Sequence, residues 1–209
     1  MVRLVKEKEC LVPTFFGWLV MLAALALCVT FYLRNIHSFL SISKPVKAQV
    51  LIVEDWLRPE SLESAASEFN DHGYVLLLLL GEEKRWVVSI LEKAGVDKKK
   101  IVTVPIQPVR KDRTFSSAIA AKNWLLSSGM SGEAVNVFVL GAHSRRSLML
   151  FEKAFGSDFE IGVISCENVE YDPQRWWESS AGFKTVVDET IAYIYTQFFL
   201  LLAGAPSPG

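Results

Sequence analysis

The 209-residue sequence has few cysteines and no excess of positive charge. Three cysteines are too few for a disulfide-stabilised scaffold, which needs several pairs. Lysine and arginine together number 22 against 23 aspartates and glutamates, so a general nucleic-acid-binding surface, with its basic excess, is not expected. Apolar residues make up 51% of the chain and charged residues 22%, which excludes wholesale disorder.

Several motifs of nucleotide and hydrolase sites are also absent. The first apolar run after the N-terminal region is followed by EDWLRPE and not by G-x-G-x-x-G, which counts against an ordinary dinucleotide fingerprint. Neither the G-x-x-x-x-G-K-[ST] of a P-loop nor the G-x-S-x-G of a nucleophile elbow occurs. No ligand spacing supports a metal site. The sequence therefore identifies no cofactor.

One long apolar run is present near the N-terminus. Phe15–Leu33 has 19 residues without a charge and aromatic residues near both ends. As a helix it would be about 28 Å long, close to the thickness of a bilayer's hydrocarbon core, and terminal aromatics are typical of membrane interfaces. We expect an uncleaved anchor. The alternative is a cleaved signal peptide, which the length of the run and the poor cleavage site in SFLSIS disfavour.

The rest of the chain alternates short apolar runs with helix-like stretches. Five runs suit strands that are buried on both faces: Gln49–Val53, Val75–Leu80, Ile101–Val104, Val135–Leu140 and Ile161–Ile164. Helices are predicted at Pro59–Asp71, Glu83–Ala94, Thr114–Ser127, Ser144–Phe155 and about Ala181–Leu202. This alternation predicts an α/β fold, a Rossmann-like, doubly wound, mostly parallel five-stranded sheet preceded by one N-terminal transmembrane helix.

The predicted organisation has five parts. They are a head (1–14), the transmembrane helix (15–33), a juxtamembrane linker (34–47), the α/β domain (48–202) and a disordered tail (203–209). The domain ends in the very apolar run Ile191–Leu202, which is too short to span a bilayer. We interpret that run as a core helix, with contact to a membrane surface as the alternative.

The residues that follow each strand form the candidate site, because ligands of an open parallel sheet bind beyond the carboxyl ends of its strands. His143 is the candidate catalytic acid or base, since histidine titrates near neutral pH. The candidate ligand-binding residues are Glu54, Asp55, Gly81, Arg110, Arg113, Thr114, Gly141, Ser144, Arg145, Arg146 and Asp172.

The most specific group of candidate residues follows the fourth strand, in the sequence GAHSRRS. Arg145 and Arg146 fall in the first turn of a predicted helix, where a cation opposes the helix dipole at a cost of about 0.3–1 kcal/mol. A bound anion would satisfy the unpaired N–H groups of that turn and offset the repulsion. The alternative is that both arginines are solvated or paired with Glu54 and Asp55 across the cleft.

A second basic loop precedes the helix that begins near Thr114. The segment PIQPVRKDRT is long for a strand-to-helix connection, and such loops often carry function. Two basic helix N-termini near the point where the strand order of the sheet reverses would suit a phosphate or pyrophosphate. We therefore expect an anionic ligand.

This layout resembles the YdcF/SanA/ElyC family of bacterial envelope-associated domains, whose activity is poorly defined. The similarity covers about residues 48–199 and the preceding anchor. It is carried by the match of His143-Ser144-Arg145-Arg146 to the family's H-x-x-R, by Gly81 after the second strand, and by Thr114 in DRTFSSA.

The sequence departs from the family's pattern at three places. Glu54-Asp55 and Glu82 stand where glycines are usual, and Ser116-Ser117 stands where the family has Glu-Asn. These departures suggest a divergent branch. One branch is associated with S-adenosylmethionine, but the lack of a glycine-rich loop after the first strand argues against that cofactor here.

The resemblance implies a single-pass protein of the bacterial inner (plasma) membrane that works in envelope or peptidoglycan-precursor maintenance. Three basic residues on each side of the apolar run leave its orientation open, and the short head favours a domain on the outer, periplasmic side. The ligand would be phosphate-bearing and, in one version, lipid-linked like a cell-wall precursor. The alternatives are a non-catalytic envelope factor and a nucleotide- or S-adenosylmethionine-binding enzyme.

Overall fold

The computed structural model describes residues 12–82, 84–106 and 112–202. The helices are α1 (Phe15–Leu40), α2 (Pro59–Asp71), α3 (Arg85–Lys93), α4 (Arg113–Ser127), α5 (Ser144–Phe155) and α6 (Ser180–Leu202). The strands are β1 (Val50–Glu54), β2 (Leu76–Leu80), β3 (Ile101–Val104), β4 (Val135–Leu140) and β5 (Ile161–Cys166). The chain forms two compact units, of which the first ends at Asn35 and the second begins at Ile36.

Most of α1 belongs to the first unit. This helix is long and apolar enough to cross a membrane, and its most apolar window of 18 residues is entirely unburied. It does not end at residue 33, as expected from the uncharged run, but continues to Leu40, about halfway into the predicted linker. The reason is local, because no proline or glycine interrupts the chain between Gly17 and Pro45.

The second unit is built on a five-stranded sheet whose strand order is β3-β2-β1-β4-β5. Every strand pair is parallel. The predicted α/β fold with a doubly wound parallel sheet is therefore confirmed. The chain runs outward from β1 to β3 and then returns to β4, so the order reverses between β1 and β4, which is the topological switch point.

Successive strand residues point to opposite faces of the sheet, and the residues on both faces are apolar. One face carries Ile52, Leu78 and Val137, all fully buried, and packs against α4 and α5. The opposite face carries Leu51 and Leu77 and packs against α2 and α3. Burial on both faces explains why the strands read as continuous apolar runs.

The bounds of β3, β4, α2 and α5 agree with those predicted, and β5 extends two residues further, to Cys166. The α6 helix differs in character from the core helix that was expected. Val186 and Thr196 are buried, but Ile191, Ile194 and Phe198 are exposed. The predicted tail and most of the predicted head lie outside the described residues.

Candidate functional site

A cavity of about 540 Å³ opens at the carboxyl ends of β1 and β4. It lies at the switch point, where open parallel sheets bind their ligands. Residues after β1, β4 and β5 contribute to it, together with the start of α4 and one face of α6. Its polar and aromatic lining consists of Glu54, Trp56, Asp112, Arg113, Thr114, His143, Arg146, Asn168, Glu170, Tyr171, Thr185, Asp188 and Glu189.

His143 is held by a carboxylate from α6. It ends the short 3-10 turn Gly141–His143, which leads directly into α5. Its imidazole Nδ1 lies 2.9 Å from Glu189 Oε1, and its ring packs edge-to-face on Trp56 with centroids 6.0 Å apart. Hydrogen bonding to ionised Glu189 favours the tautomer with the proton on Nδ1. Arg146 Nη2, which can only donate, lies 3.1 Å from the same Nδ1, but the contact with the carboxylate is shorter and charge-assisted. With the proton on Nδ1, the lone pair is on Nε2, for which no described residue is a partner.

Arg146 is engaged by the same carboxylate. Its Nε donates to Glu189 Oε2 at 2.9 Å and its Nη2 to Oε1 at 3.3 Å. Its Nη1 lies 3.6 Å from Asp112 Oδ2, which belongs to the N-cap residue of α4. Burial alone would raise the pKa of Glu189, but hydrogen bonds and charges from His143 and Arg146 lower it to about 2. The guanidinium is therefore largely neutralised before any ligand binds.

Glu54 ends β1 and is 3% exposed. Its Oε2 accepts a hydrogen bond from Trp56 Nε1. Its Oε1 is buried and has no hydrogen-bond partner among the residues that the structure describes. A buried carboxylate oxygen without a partner is an unused acceptor, and a ligand O–H or N–H group could satisfy it.

Arg113 is the first residue of α4 and its side chain is exposed at the cavity. Its guanidinium lies 5.8 Å from the ring centroid of Trp56, within cation–π range. It forms no ion pair with any residue in the described part of the chain. Unlike Arg146, it can receive an anionic group without first giving up a carboxylate.

Carboxylates outnumber guanidiniums in the described lining. Five acidic side chains, those of Glu54, Asp112, Glu170, Asp188 and Glu189, face two arginines. Such a lining repels a bare polyanion. It suits a ligand that has one anionic group near Arg113 and several hydrogen-bond donors elsewhere.

Tyr171 closes the side of the cavity next to β5. Its hydroxyl lies 3.3 Å from His37 Nε2, near the end of α1. Burial, together with the charges of Glu189 and Glu170, raises the pKa of Tyr171 to about 12. The phenol is therefore protonated at neutral pH and is available as a hydrogen-bond donor.

Five of the candidate residues from the sequence line the cavity together. They are Glu54, Arg113, Thr114, His143 and Arg146. The structure does not pair the arginines with Glu54 and Asp55, which was the alternative considered. The partners of Arg146 are Glu189 and Asp112.

Arg145, Ser144 and Gly141 do not line the cavity. The Arg145 side chain donates to the Phe39 carbonyl, and its guanidinium lies 4.1 Å from the centre of the Phe39 ring. The Ser144 hydroxyl accepts from Ile42 N at 2.7 Å. These two side chains hold the last turn of α1 and the residues just after it, so Arg145 does not join Arg146 at the cavity, where both were expected to bind an anion.

Asp55, Gly81 and Asp172 also lie outside the cavity lining. The Asp55 carboxylate accepts from Glu82 N at 3.1 Å and lies 2.8 Å from Lys84 Nζ, which holds the turn after β2. Gly81 packs against that carboxylate. Asp172 is exposed and pairs with Arg175. Arg110, the remaining candidate, lies outside the described residues.

Sequence reasoning missed Glu189, which holds both His143 and Arg146. The pattern that could have indicated it is the pair Asp188-Glu189, the last charged residues before the apolar half of α6. Within residues 12–82, 84–106 and 112–202, no group of three histidine, cysteine or acidic side chains is arranged to hold a metal ion.

No family model matches the chain, and neither a curated protein nor a solved structure matches it. The resemblance to the YdcF/SanA/ElyC family therefore stays a prediction.

Proposed function

We propose that this is a membrane-anchored protein whose α/β domain binds a phosphate-bearing ligand in the switch-point cavity. The observation that carries the proposal is the state of Arg113, a cation at the cavity that has no carboxylate partner in the described chain. A guanidinium with free donors is a good receptor for phosphate, because it offers two parallel N–H groups.

The rest of the ligand must donate hydrogen bonds. Glu54 Oε1, which has no partner among the described residues, and the exposed carboxylate of Asp188 can accept them, as can the oxygen of Glu170 that does not pair with Arg58. A sugar phosphate has this combination of one anionic group and many hydroxyls. It also agrees with the expected role in envelope maintenance, where the ligand would be a phosphate-linked, lipid-carried cell-wall precursor.

His143 is placed to act on such a ligand. With Nδ1–H donated to Glu189, the Nε2 atom can take a proton from a ligand hydroxyl or from water. Glu189 fixes the ring and stabilises the imidazolium that forms, in the manner of the acid in a catalytic triad. In this proposal His143 is the catalytic base and Glu189 is a positioning residue.

A second candidate function is that of a non-catalytic envelope factor. The observation that favours it is the network of Arg146, Glu189 and Asp112, which ties α5 to α6 and to the start of α4. In this version the charged groups hold three helices together, and partners bind elsewhere on the protein.

Calorimetry on the full chain in detergent micelles separates the two functions. The probes are glucose 1-phosphate, glucose and inorganic phosphate, with undecaprenyl phosphate as the lipid-linked probe. Tighter binding of glucose 1-phosphate than of either fragment supports the first function. Absence of binding by all four probes supports the second.

A matched pair of variants assigns the anion site. Arg113→Ala should weaken glucose 1-phosphate binding at least about tenfold, which corresponds to about 1.4 kcal/mol. Arg85→Ala is the control, because Arg85 is also an exposed arginine at the first position of a helix but does not line the cavity. Equal affinities in the two variants would remove Arg113 from the site.

We also propose that the domain lies on the outer side of the membrane. This orientation follows from the envelope role proposed above and not from the charges that flank the apolar run, which balance three against three. A C-terminal alkaline phosphatase fusion, which is active only outside, should show activity. Activity of a cytoplasm-only reporter would reverse the orientation and bring nucleotides and S-adenosylmethionine back as candidate ligands.

A further inference from the structure

Two side chains at one wall of the switch-point cavity each keep an acceptor atom that no described residue engages. Glu54 Oε1 is buried and receives no hydrogen bond from the described residues. His143 Nε2 carries the lone pair that remains when Nδ1–H is donated to Glu189. Both side chains contact Trp56, whose indole Nε1 donates to Glu54 Oε2 and whose ring centre lies 6.0 Å from that of His143. The two acceptors therefore belong to neighbours of one indole.

The charge of Glu54 also reaches the other side of the imidazole. Arg146 Nη2 lies 3.1 Å from His143 Nδ1. Burial acts to lower the pKa of Arg146, but nearby carboxylates, Glu54 among them, raise it above its ordinary value. Glu54 is thus close enough to act on a group that itself contacts His143.

A water molecule matches this pair of acceptors. Water has two O–H bonds, so it can donate to Glu54 Oε1 and to His143 Nε2 at the same time, whereas a ligand hydroxyl has one hydrogen to donate. The imidazole can then take one proton, while the carboxylate fixes the direction of the other O–H bond. The two residues are therefore suited to orient and activate water as a nucleophile.

The proposed phosphate receptor lies beside the same indole. The Arg113 guanidinium is 5.8 Å from the Trp56 ring centre. An anionic group bound by Arg113 is consequently near the indole that Glu54 and His143 also contact. The cavity thus combines a cation for phosphate, a base and an acceptor for water.

We infer that the protein hydrolyses the phosphate ester of its ligand, with the attacking water held by Glu54 Oε1 and activated by His143 Nε2. This inference rests on the sugar-phosphate binding proposed above and adds a reaction to it. Glu54 is then a catalytic residue, because its carboxylate touches the attacking water. The hydroxyl groups of the ligand are left to the other acceptors of the cavity, such as Asp188.

The bond changes need no co-reactant other than water. His143 Nε2 takes one proton from the water as the water oxygen forms a bond to phosphorus. The P–O bond to the sugar breaks, its electron pair leaves with the sugar oxygen, and that oxygen takes a proton from solvent. The imidazolium, stabilised by Glu189, returns its proton to solvent. Arg113 stabilises the charge on the phosphoryl oxygens in the transition state.

The acidic lining of the cavity favours release of the product. Inorganic phosphate keeps the anionic charge of the ligand but lacks its sugar hydroxyls. The carboxylates of the lining therefore repel it without receiving those hydrogen bonds in return. Hydrolysis converts a ligand that suits the cavity into one that the cavity repels.

Phosphorus NMR of the full chain in micelles, with glucose 1-phosphate in water enriched in the heavy oxygen isotope, tests the inference. Attack of water on phosphorus places one heavy oxygen in the released inorganic phosphate and shifts its signal slightly upfield. We expect this shifted signal to form at least about 100-fold faster than without protein. Release of unlabelled phosphate would mean that the sugar C–O bond breaks, and it would overturn the inference.

Glu54→Gln tests the role of the carboxylate. The amide oxygen must stay on Trp56 Nε1, so the amide NH2 replaces Oε1 and cannot accept a hydrogen bond from water. The value of kcat should fall at least about tenfold, while KM changes by less than about twofold. Glu63→Gln is the control, because Glu63 is exposed on α2 and does not line the cavity. Equal kcat values in the two variants would remove Glu54 from the reaction.

The remaining outcomes separate this inference from the proposed function. Calorimetric binding of glucose 1-phosphate without any release of phosphate would overturn the hydrolysis and leave the binding function intact. Absence of binding would overturn both. A phosphoryl group found on His143 by mass spectrometry after an alkaline quench would show that nitrogen, and not water, attacks phosphorus, which also contradicts the inference.

Discussion

Nδ1 of His143 and Oε1 of Glu189 lie 2.9 Å apart, although 46 positions separate the two residues in the chain. The contact joins the turn after β4 to the middle of α6. The same carboxylate accepts from Arg146 Nε at 2.9 Å. One acidic side chain thus orients the candidate base and neutralises the arginine beside it. The chemistry of the cavity therefore depends on Glu189 as much as on the two residues that it contacts.

Replacement of Glu189 by glutamine should remove an acid-sensitive part of the stability. The pKa of Glu189 is about 2 in the folded protein, against an ordinary value of 4.5. A carboxyl with a lowered pKa contributes stability that is fully present above about pH 4.5 and is lost as the pH falls toward 2. Glu189→Gln should therefore be less stable than the native chain at pH 7, and the difference should shrink below pH 4.5.

Denaturant unfolding of the full chain in micelles, repeated between pH 2 and pH 7, measures this difference. Glu63→Gln, at an exposed position of α2, serves as the control and should track the native chain at every pH. A difference between Glu189→Gln and the native chain that stays constant across the range would contradict the proposed linkage.

Arg146→Met should destabilise the domain by about 3–5 kcal/mol, because it leaves a buried carboxylate without its guanidinium. The Arg146 and Glu189 side chains are only 13% and 17% exposed. Arg175→Met is the matched control, since that arginine is 63% exposed in its ion pairs and its loss should have little effect. Chemical unfolding of both variants gives the comparison.

The double variant Arg146→Met/Glu189→Gln tests whether the two side chains act as a pair. Its cost should be smaller than the sum of the two single costs by about 0.5–3 kcal/mol, because the carboxylate left behind is also neutralised. Simple additivity would show that each residue acts through other contacts.

Gly81→Ala should destabilise the fold more than Gly73→Ala. Both glycines have a positive φ, of 140° at Gly81 and 70° at Gly73. A Cβ at Gly81 would lie 2.1 Å from Asp55 Cγ, whereas nothing lies within 4 Å of one at Gly73. Gly73→Ala should therefore cost about 1 kcal/mol from backbone strain alone, and Gly81→Ala at least about 1 kcal/mol more from crowding. Equal melting temperatures would refute the close packing on Asp55.

Arg145→Gln should leave glucose 1-phosphate affinity unchanged within about twofold. The Arg145 guanidinium lies on the Phe39 ring and does not line the cavity. Calorimetry against Arg113→Ala, which should bind more weakly, provides the contrast. A loss of affinity in Arg145→Gln comparable with that in Arg113→Ala would place both arginines at the ligand after all.

The sequence alone was sufficient for the strands and helices of the domain. Strands such as Val135–Leu140 are apolar on both faces, and helices such as Pro59–Asp71 begin at a proline, so each is encoded by neighbouring residues. Alternation of the two kinds of element leaves few topologies other than a parallel sheet with right-handed crossovers. A doubly wound sheet has a switch point, but its place between β1 and β4 comes from the strand order that the structure shows.

Tertiary structure decided which side chains meet in the cavity. Arg145 and Arg146 are neighbours in the sequence, but successive residues on a helix point about 100° apart. One therefore contacts Phe39 and the other Glu189. Local patterns cannot reveal that choice, nor the arrival of Glu189 from a helix more than 40 positions away, because both depend on how α5 and α6 pack. The helices and strands are predictable because short-range patterns determine them. The composition of the site is not, because it depends on contacts between distant parts of the chain.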